Sequence, residues 1–164
     1  MATRDDGTQA RRALGSQASR GEGRPTAADL GATREPFESA RNLPAAFYTS
    51  DEVFRLEQAE IFGRTWLCIG READIPKAGD FFTHDVGEER LLAIRGGDGT
   101  VRVFFNVCRH RGSRLVDAPC GEGLERLRCP YHTWTYALDG RLTHAPRMPA
   151  SFERAAFPLV QARL

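Results

Sequence analysis

Asn106-Val107-Cys108-Arg109-His110-Arg111-Gly112 and, further along, Cys129-Pro130-Tyr131-His132-Thr133-Trp134 are the two stretches on which the reading of this chain turns. Each holds one thiol and one imidazole, spaced C-x-H in the first and C-x-x-H in the second. Each also sits beside short β-type runs, 101–105 ahead of the first and 127–129 and 133–137 around the second, so both loops are carried by sheet. Further runs of that kind cover 65–69, 81–86, 91–95 and 159–164. Gly96-Gly97-Asp98-Gly99 separates 91–95 from 101–105 with residues that tolerate positive φ, which predicts a tight hairpin. Leu138-Asp139-Gly140-Arg141 predicts a second turn. Short strands at turn-punctuated intervals, with no internal repeat, predict a mainly β fold, a barrel or a sandwich.

Upstream of the strands the pattern changes. Thr49-Ser50-Asp51-Glu52 has the form of a capping box, with Thr49 as N-cap and Glu52 at the third helical position, and predicts a helix to about Phe62. Its apolar residues Val53, Phe54, Leu56, Ile61 and Phe62 fall at mixed helical spacings, enough for one sticky face. Residues 1–42 are rich in Gly, Ala, Arg, Thr and Ser and have few large apolar side chains, so burial cannot offset their ordering entropy. They predict a disordered arm, with the folded domain over 43–164.

Composition narrows the function classes. At 164 residues, 41% hydrophobic and 27% charged, the chain has material for one modest core, which excludes a large multidomain enzyme. Lys plus Arg number 23 against 22 for Asp plus Glu, a net charge of +1, so bulk charge gives no support to nucleic-acid binding. No stretch reaches the roughly 18 apolar residues of a membrane span. The start carries Asp5 and Asp6 and no apolar signal core, which predicts a cytoplasmic protein. Four cysteines in a reducing compartment point to metal binding or burial rather than to disulfides. Cys68, between Leu67 and Ile69, reads as a small core residue, and Cys120 as an exposed free thiol. Trp66 and Trp134 read as core or shielding aromatics, and His84 and His144 as isolated solvent-facing or hydrogen-bonded histidines.

Two Cys and two His in two mixed pairs suit a Rieske 2Fe-2S centre, in which two thiolates hold one iron and two imidazoles the other. A tetrahedral zinc site is the alternative, although zinc ligands usually come as a C-x(2-4)-C pair and an H-x(3-5)-H pair. Unrelated core or loop residues are a third reading.

C-R-H-R-G followed by C-P-Y-H-x-W, after a helical lead-in and Arg64-Thr65-Trp66-Leu67-Cys68-Ile69-Gly70, resembles the N-terminal part of Rieske non-haem iron oxygenase α-subunits. These are the ring-hydroxylating dioxygenases and their choline and carnitine monooxygenase relatives, and the resemblance covers about 43–164. It implies a Rieske-type antiparallel β domain with an N-terminal helix. It also implies Cys108 and Cys129 as ligands of the buried iron and His110 and His132 as ligands of the outer one. The implied role is electron transfer from a reductase or ferredoxin toward a mononuclear non-haem iron in an oxygenase catalytic domain or subunit. No H-x(4)-H pair is present to hold that second iron, so the chain reads as the electron-transfer portion of a longer or split enzyme, truncated after the run 159–164. The alternatives are a stand-alone Rieske ferredoxin and a zinc-stabilised binding module without redox chemistry.

Two departures from the family pattern stand out. The interval between His110 and Cys129 is slightly long, which loop-closure entropy tolerates. Thr133 replaces a usual glycine and crowds the turn after His132. Respiratory Rieske proteins differ more: they carry an extra cysteine in each loop, where this chain has Ser113 and Tyr131, and a serine near a cluster sulfur, where it has Trp134. Loss of that hydroxyl predicts a low-potential centre. Arg109, Arg111 and Arg114 around the outer ligand form either a docking crown for an acidic partner or a solvated loop face.

Overall fold

A computed structural model describes residues 27–164, and the chain divides into two compact units, 1–64 and 65–164. Most of the expected disordered arm, residues 1–26, lies outside the described residues. From there a 3-10 helix covers Ala27–Thr33, and the Thr33 hydroxyl donates to the Leu30 carbonyl at 2.8 Å. Two short helices follow, α1 (Ala46–Thr49) and α2 (Asp51–Glu57), and α2 runs on into a π-helical turn over Gln58–Phe62.

The helix therefore ends where expected, but its cap is Ser50 rather than Thr49. The Ser50 hydroxyl accepts from the backbone N–H groups of Glu52 (3.2 Å) and Val53 (3.4 Å), satisfying two of the donors a helix start leaves open. Thr49 instead closes α1, with its hydroxyl donating back to the Ala45 carbonyl at 3.1 Å. Of the five apolar residues expected on one face, only Val53 is buried.

The second unit holds two antiparallel sheets. β1 (Phe81–Val86), β2 (Glu89–Arg95), β3 (Val101–Phe105) and β4 (Cys120–Gly121) form one in the order β3-β2-β1-β4. β5 (Leu127–Arg128), β6 (Thr135–Tyr136) and β7 (Leu142–His144) form the other in chain order. Alternation along β2 and β3 sends Leu92, Ile94 and Phe104 to one face and Ala93 and Val103 to the other. The first group joins Phe81, Leu127, Trp134, Tyr136 and Leu142 in a core between the sheets, and that core also contains Cys108 and Cys129. The second group packs around Ile75.

Both predicted turns form. The β2–β3 hairpin closes with the Gly99 N–H on the Gly96 carbonyl (3.0 Å), and Gly99 has φ +79°, a backbone state that costs glycine nothing. In the second turn Gly140 has φ +88°, and a Cβ there would meet the Phe104 ring at 2.7 Å, so the absent side chain lets the turn lie against the core.

Several expectations change. Residues 65–69 form no strand, and both Cys68 and Trp66 are exposed, Trp66 at 74%, rather than in the core. Residues 159–164 make one isolated bridge, Phe104↔Gln161, on the outer edge of β3, with the Ala162 N–H donating to Val103 and the Phe105 N–H to Val160. β4 and β7 are too short to announce themselves by periodicity. Cys120 on β4 is exposed, as expected, and His84 on β1 and His144 on β7 are exposed too. No helix among the described residues is long and apolar enough to cross a membrane.

Candidate metal centre

The two cysteine–histidine loops close in the same way. In the first, the Cys108 N–H donates to the Ser113 carbonyl (2.8 Å) and the Gly112 N–H donates back to the Cys108 carbonyl (3.0 Å). In the second, the Cys129 N–H donates to Trp134 (2.8 Å) and the Thr133 N–H to Cys129 (3.1 Å). Each loop therefore joins Cys(i) to residues i+4 and i+5, and residue i+4 is left-handed in both, Gly112 at φ +69° and Thr133 at φ +59°. Such a loop turns its backbone N–H groups inward, toward the sulfur it carries. A β-branched threonine in this conformation is strained, which gives the anticipated crowding after His132 a definite form.

Asn106, at the end of β3, ties the first loop shut. It is 2% exposed; its amide nitrogen donates to the Val116 carbonyl (2.7 Å), and its amide oxygen accepts from the N–H groups of Leu115 (3.2 Å) and Val116 (3.0 Å). Both its amide nitrogen and its amide oxygen are engaged in holding the two ends of the loop together.

The loops bring all four predicted side chains into one neighbourhood. Cys108 and Cys129 are each 2% exposed and near enough to share a hydrogen bond. The rings of His110 and His132 lie 4.8 Å apart at 70° to one another, half-buried. Burial pushes the Cys108 thiol up, whereas at Cys129 the backbone N–H groups of His132 and Tyr131 outweigh burial and draw the thiol down. Burial, then His110, Arg111 and Arg147, make a charged His132 less favourable.

Two further residues complete the surroundings. Trp134 is 2% exposed and stacks parallel to His110, with centroids 4.8 Å apart and planes 10° apart, and Phe152 and Phe157 back it at 5.5 and 6.0 Å. Trp134 is thus buried in the core, one of the two places expected of it. Tyr136, fully buried on β6, places its hydroxyl 3.4 Å from the Cys108 sulfur while accepting from the Arg109 N–H at 3.1 Å. With Cys108 as a thiol either group can donate in this contact; with Cys108 as a thiolate only the hydroxyl can. Burial, followed by the Cys108 contact, keeps the phenol protonated. The sequence reading gave roles to neither Asn106 nor Tyr136. The only signal was a polar residue directly after an apolar strand in one case and an aromatic just past the second loop in the other.

Among the described residues, the buried side-chain polar atoms without a hydrogen-bond partner are His132 Nδ1 and Trp134 Nε1, and both lie here. A buried imidazole nitrogen facing no protein group suits a metal bond. The donors sort into a sulfur pair, Cys108 with Cys129, and a nitrogen pair, His110 with His132. A group with two chemically unlike ends fits this arrangement better than one tetrahedral ion does.

The comparison with known families agrees: residues 65–159 match the Rieske [2Fe-2S] domain. The chain belongs to the Rieske [2Fe-2S] domain family. Both loops of this Rieske domain lie inside the matched segment. Relatives include the glycine betaine monooxygenase oxygenase subunit of Chromohalobacter salexigens, 47% identical over 63% of this chain and 23% of its own length. The carnitine monooxygenase oxygenase subunit of Escherichia coli is 36% identical over 77% and 34%. The biphenyl 2,3-dioxygenase α-subunit of Rhodococcus jostii is 41% identical over 74% and 25%. Among solved structures, a quaternary ammonium Rieske monooxygenase in complex with L-carnitine superposes with TM-score 0.65 at 37% identity, over 72% of this chain and 34% of that one. Naphthalene 1,2-dioxygenase from Rhodococcus sp. gives 0.68 at 32%, over 73% and 28%. The Rieske domain thus spans about a quarter to a third of the length of the curated relatives it matches.

Proposed function

We propose that this chain is the electron-transfer portion of an oxygenase that hydroxylates a quaternary amine or an aromatic ring. In this reading Cys108 and Cys129 hold the inner iron of a 2Fe-2S cluster, and His110 and His132 hold the outer one. When bound, such a cluster supplies a one-electron store at a protein edge. The observation that carries the reading is the separation of the four donors into a buried sulfur pair and a half-buried imidazole pair with an orphaned His132 Nδ1.

The chain's own residues then have defined tasks. Backbone N–H groups of His110, Tyr131 and His132 point at the cysteine sulfurs and favour negative charge there. Tyr136 adds a hydroxyl hydrogen bond to Cys108, so the low potential expected from the missing serine is moderated. Trp134 fixes the plane of His110 and keeps water from its inner face. His110 and His132 form the edge that an electron partner can approach. The reading includes a reductase or ferredoxin as donor, a mononuclear iron in a catalytic domain or subunit outside this chain as acceptor, and a reducing cytoplasm as the setting.

Iron and acid-labile sulfide analysis of the purified chain tests this. About two of each per chain and a brown colour are expected, both lost in Cys108→Ser and His132→Ala. A colourless protein with one zinc per chain, or full retention of iron in both variants, would overturn the assignment.

A further inference from the structure

One residue of the site holds a polar group that its packing leaves unused. Trp134 is 2% exposed, and its indole Nε1 is, with His132 Nδ1, one of the buried side-chain polar atoms among the described residues that lack a hydrogen-bond partner. The imidazole nitrogen has a use as a metal ligand. The indole nitrogen does not, because its N–H can only donate a hydrogen bond. A buried indole N–H ordinarily finds an acceptor, since one left without any forfeits the full cost of leaving water. The rings packed on Trp134 offer it no oxygen: His110 lies parallel to it at 4.8 Å, and Phe152 and Phe157 stand at 5.5 and 6.0 Å.

The construction of the two loops gives that donor a direction. In each loop the cysteine N–H donates to the carbonyl of residue i+5, Ser113 in the first and Trp134 in the second. Both i+5 side chains then cross to the opposite loop. The Ser113 hydroxyl, 3.2 Å from the Arg114 carbonyl, is also within hydrogen-bonding reach of the Cys129 sulfur, and the Trp134 indole lies flat against His110. Each loop therefore sends one side-chain donor across to the ligands carried by the other. Tyr136 brings a further donor to Cys108 from β6. The acceptors that a 2Fe-2S cluster adds to these surroundings are its own inorganic sulfides, and hydrogen bonds to the sulfurs of such a cluster set its potential.

We propose that the Trp134 Nε1–H donates a hydrogen bond to an inorganic sulfide of the cluster and so raises its potential. The inference rests on the electron-transfer reading above and adds a residue that tunes how tightly the electron is held. Reduction places one more negative charge on the cluster, and a donor aimed at negative sulfur binds it more strongly, so the bond favours the reduced form. The indole keeps its proton throughout, and no covalent bond is made or broken. Stacking on His110 fixes the indole plane and with it the direction of the N–H.

The test uses the full chain loaded with its cluster. Tryptophan carrying the heavy nitrogen isotope in its indole enters at Trp66 and Trp134, the two tryptophans of the chain, and Trp66→Phe leaves Trp134 as the single labelled position. Pulsed EPR of the dithionite-reduced protein should show that indole nitrogen coupled to the cluster spin in the parent and in Trp66→Phe alike. Replacing Trp134 by benzothienylalanine keeps the ring shape and puts sulfur in place of the N–H. It should weaken the preference for the reduced form about fivefold, the net worth of one ordinary hydrogen bond, which film voltammetry reads as a fall of about 40 mV at 59 mV per tenfold. Trp134→Phe should shift the potential the same way, which keeps the test open if the analogue loads poorly. Phe157→Leu disturbs the packing around the indole but spares its N–H, and should leave the potential where it is. Absence of the indole coupling in the parent, or an unchanged potential in the benzothienylalanine variant, would overturn the donor. So would an equal fall in Phe157→Leu, which would assign the N–H to the face of that ring. Failure of the underlying reading would look different: the parent chain would hold no iron, or dithionite would not reduce it.

Discussion

Replacing Thr133 by glycine should stabilise this domain, an unusual outcome for a substitution beside a metal ligand. At φ +59° Thr133 occupies the left-handed region, which costs an L-residue roughly 1–2 kcal/mol. Glycine removes that cost but adds freedom to the unfolded chain worth about 0.4–1 kcal/mol in the opposite direction. The balance is a gain of about 0.7 kcal/mol, and for a folded unit of this size that corresponds to a rise in Tm of about 3–6 °C. The matching loop supplies the mirror experiment. Gly112 holds the equivalent position at φ +69°, and a Cβ built there meets nothing within 4 Å, so Gly112→Ala introduces conformational strain without a clash. It should lose about 1 kcal/mol. Thermal melts of the loaded protein followed by circular dichroism, with iron content checked beforehand, measure both. Thr133→Ala serves as control, since it removes the hydroxyl and the branch and keeps an L-residue. A Tm for Thr133→Gly equal to or below the parent's, with full iron content, would refute the claim that the second loop is strained at this residue.

Three other outcomes are expected. Tyr136→Phe should keep colour and iron but lower the midpoint potential by about 40 mV, the equivalent of a roughly 1 kcal/mol preference of that hydrogen bond for the reduced state; an unchanged potential in film voltammetry would remove Tyr136 from the tuning of the site. Asn106→Leu should cost about 2–4 kcal/mol, because three backbone groups at the neck of the first loop lose their partner, and urea unfolding reads it directly. At the β2–β3 hairpin, hydrogen bonds from Arg102 and Thr100 hold the Asp98 carboxyl well below the usual carboxylate range. A depressed folded-state pKa contributes stability above the unfolded value, lost as pH falls through the folded one. The Tm gap between parent and Asp98→Asn should therefore be full at pH 6 and narrow below about pH 4, and a gap that widens on acidification would contradict the assigned contacts.

What the sequence determined by itself was local. The turns at Gly96-Gly97-Asp98-Gly99 and Leu138-Asp139-Gly140-Arg141, and strands β1 to β3, follow from residue types within a few positions of one another. The helical end near Phe62 does too, although two adjacent hydroxyl residues compete for its cap and Ser50 wins over Thr49. The ligand spacing is equally local, which is why the family pattern is readable from C-R-H-R-G and C-P-Y-H-x-W.

Tertiary structure decided whatever depends on a remote partner. Residues 65–69 and 159–164 have the same β-type composition as β1, but a strand exists only where an edge is free to pair. The first run forms no strand, and the second makes a single bridge with β3. β4 exists because Phe81 and Phe82 offer it a register, and β7 because Thr135 and Tyr136 do. Cys68 and Trp66, apolar by type, stay outside the core for the same reason: composition sets the tendency to be buried, but only neighbours can bury. The hydroxyl of Tyr136, the clasp of Asn106 and the left-handed Thr133 become visible only once the two loops, far apart along the chain, are closed against each other by the core they share.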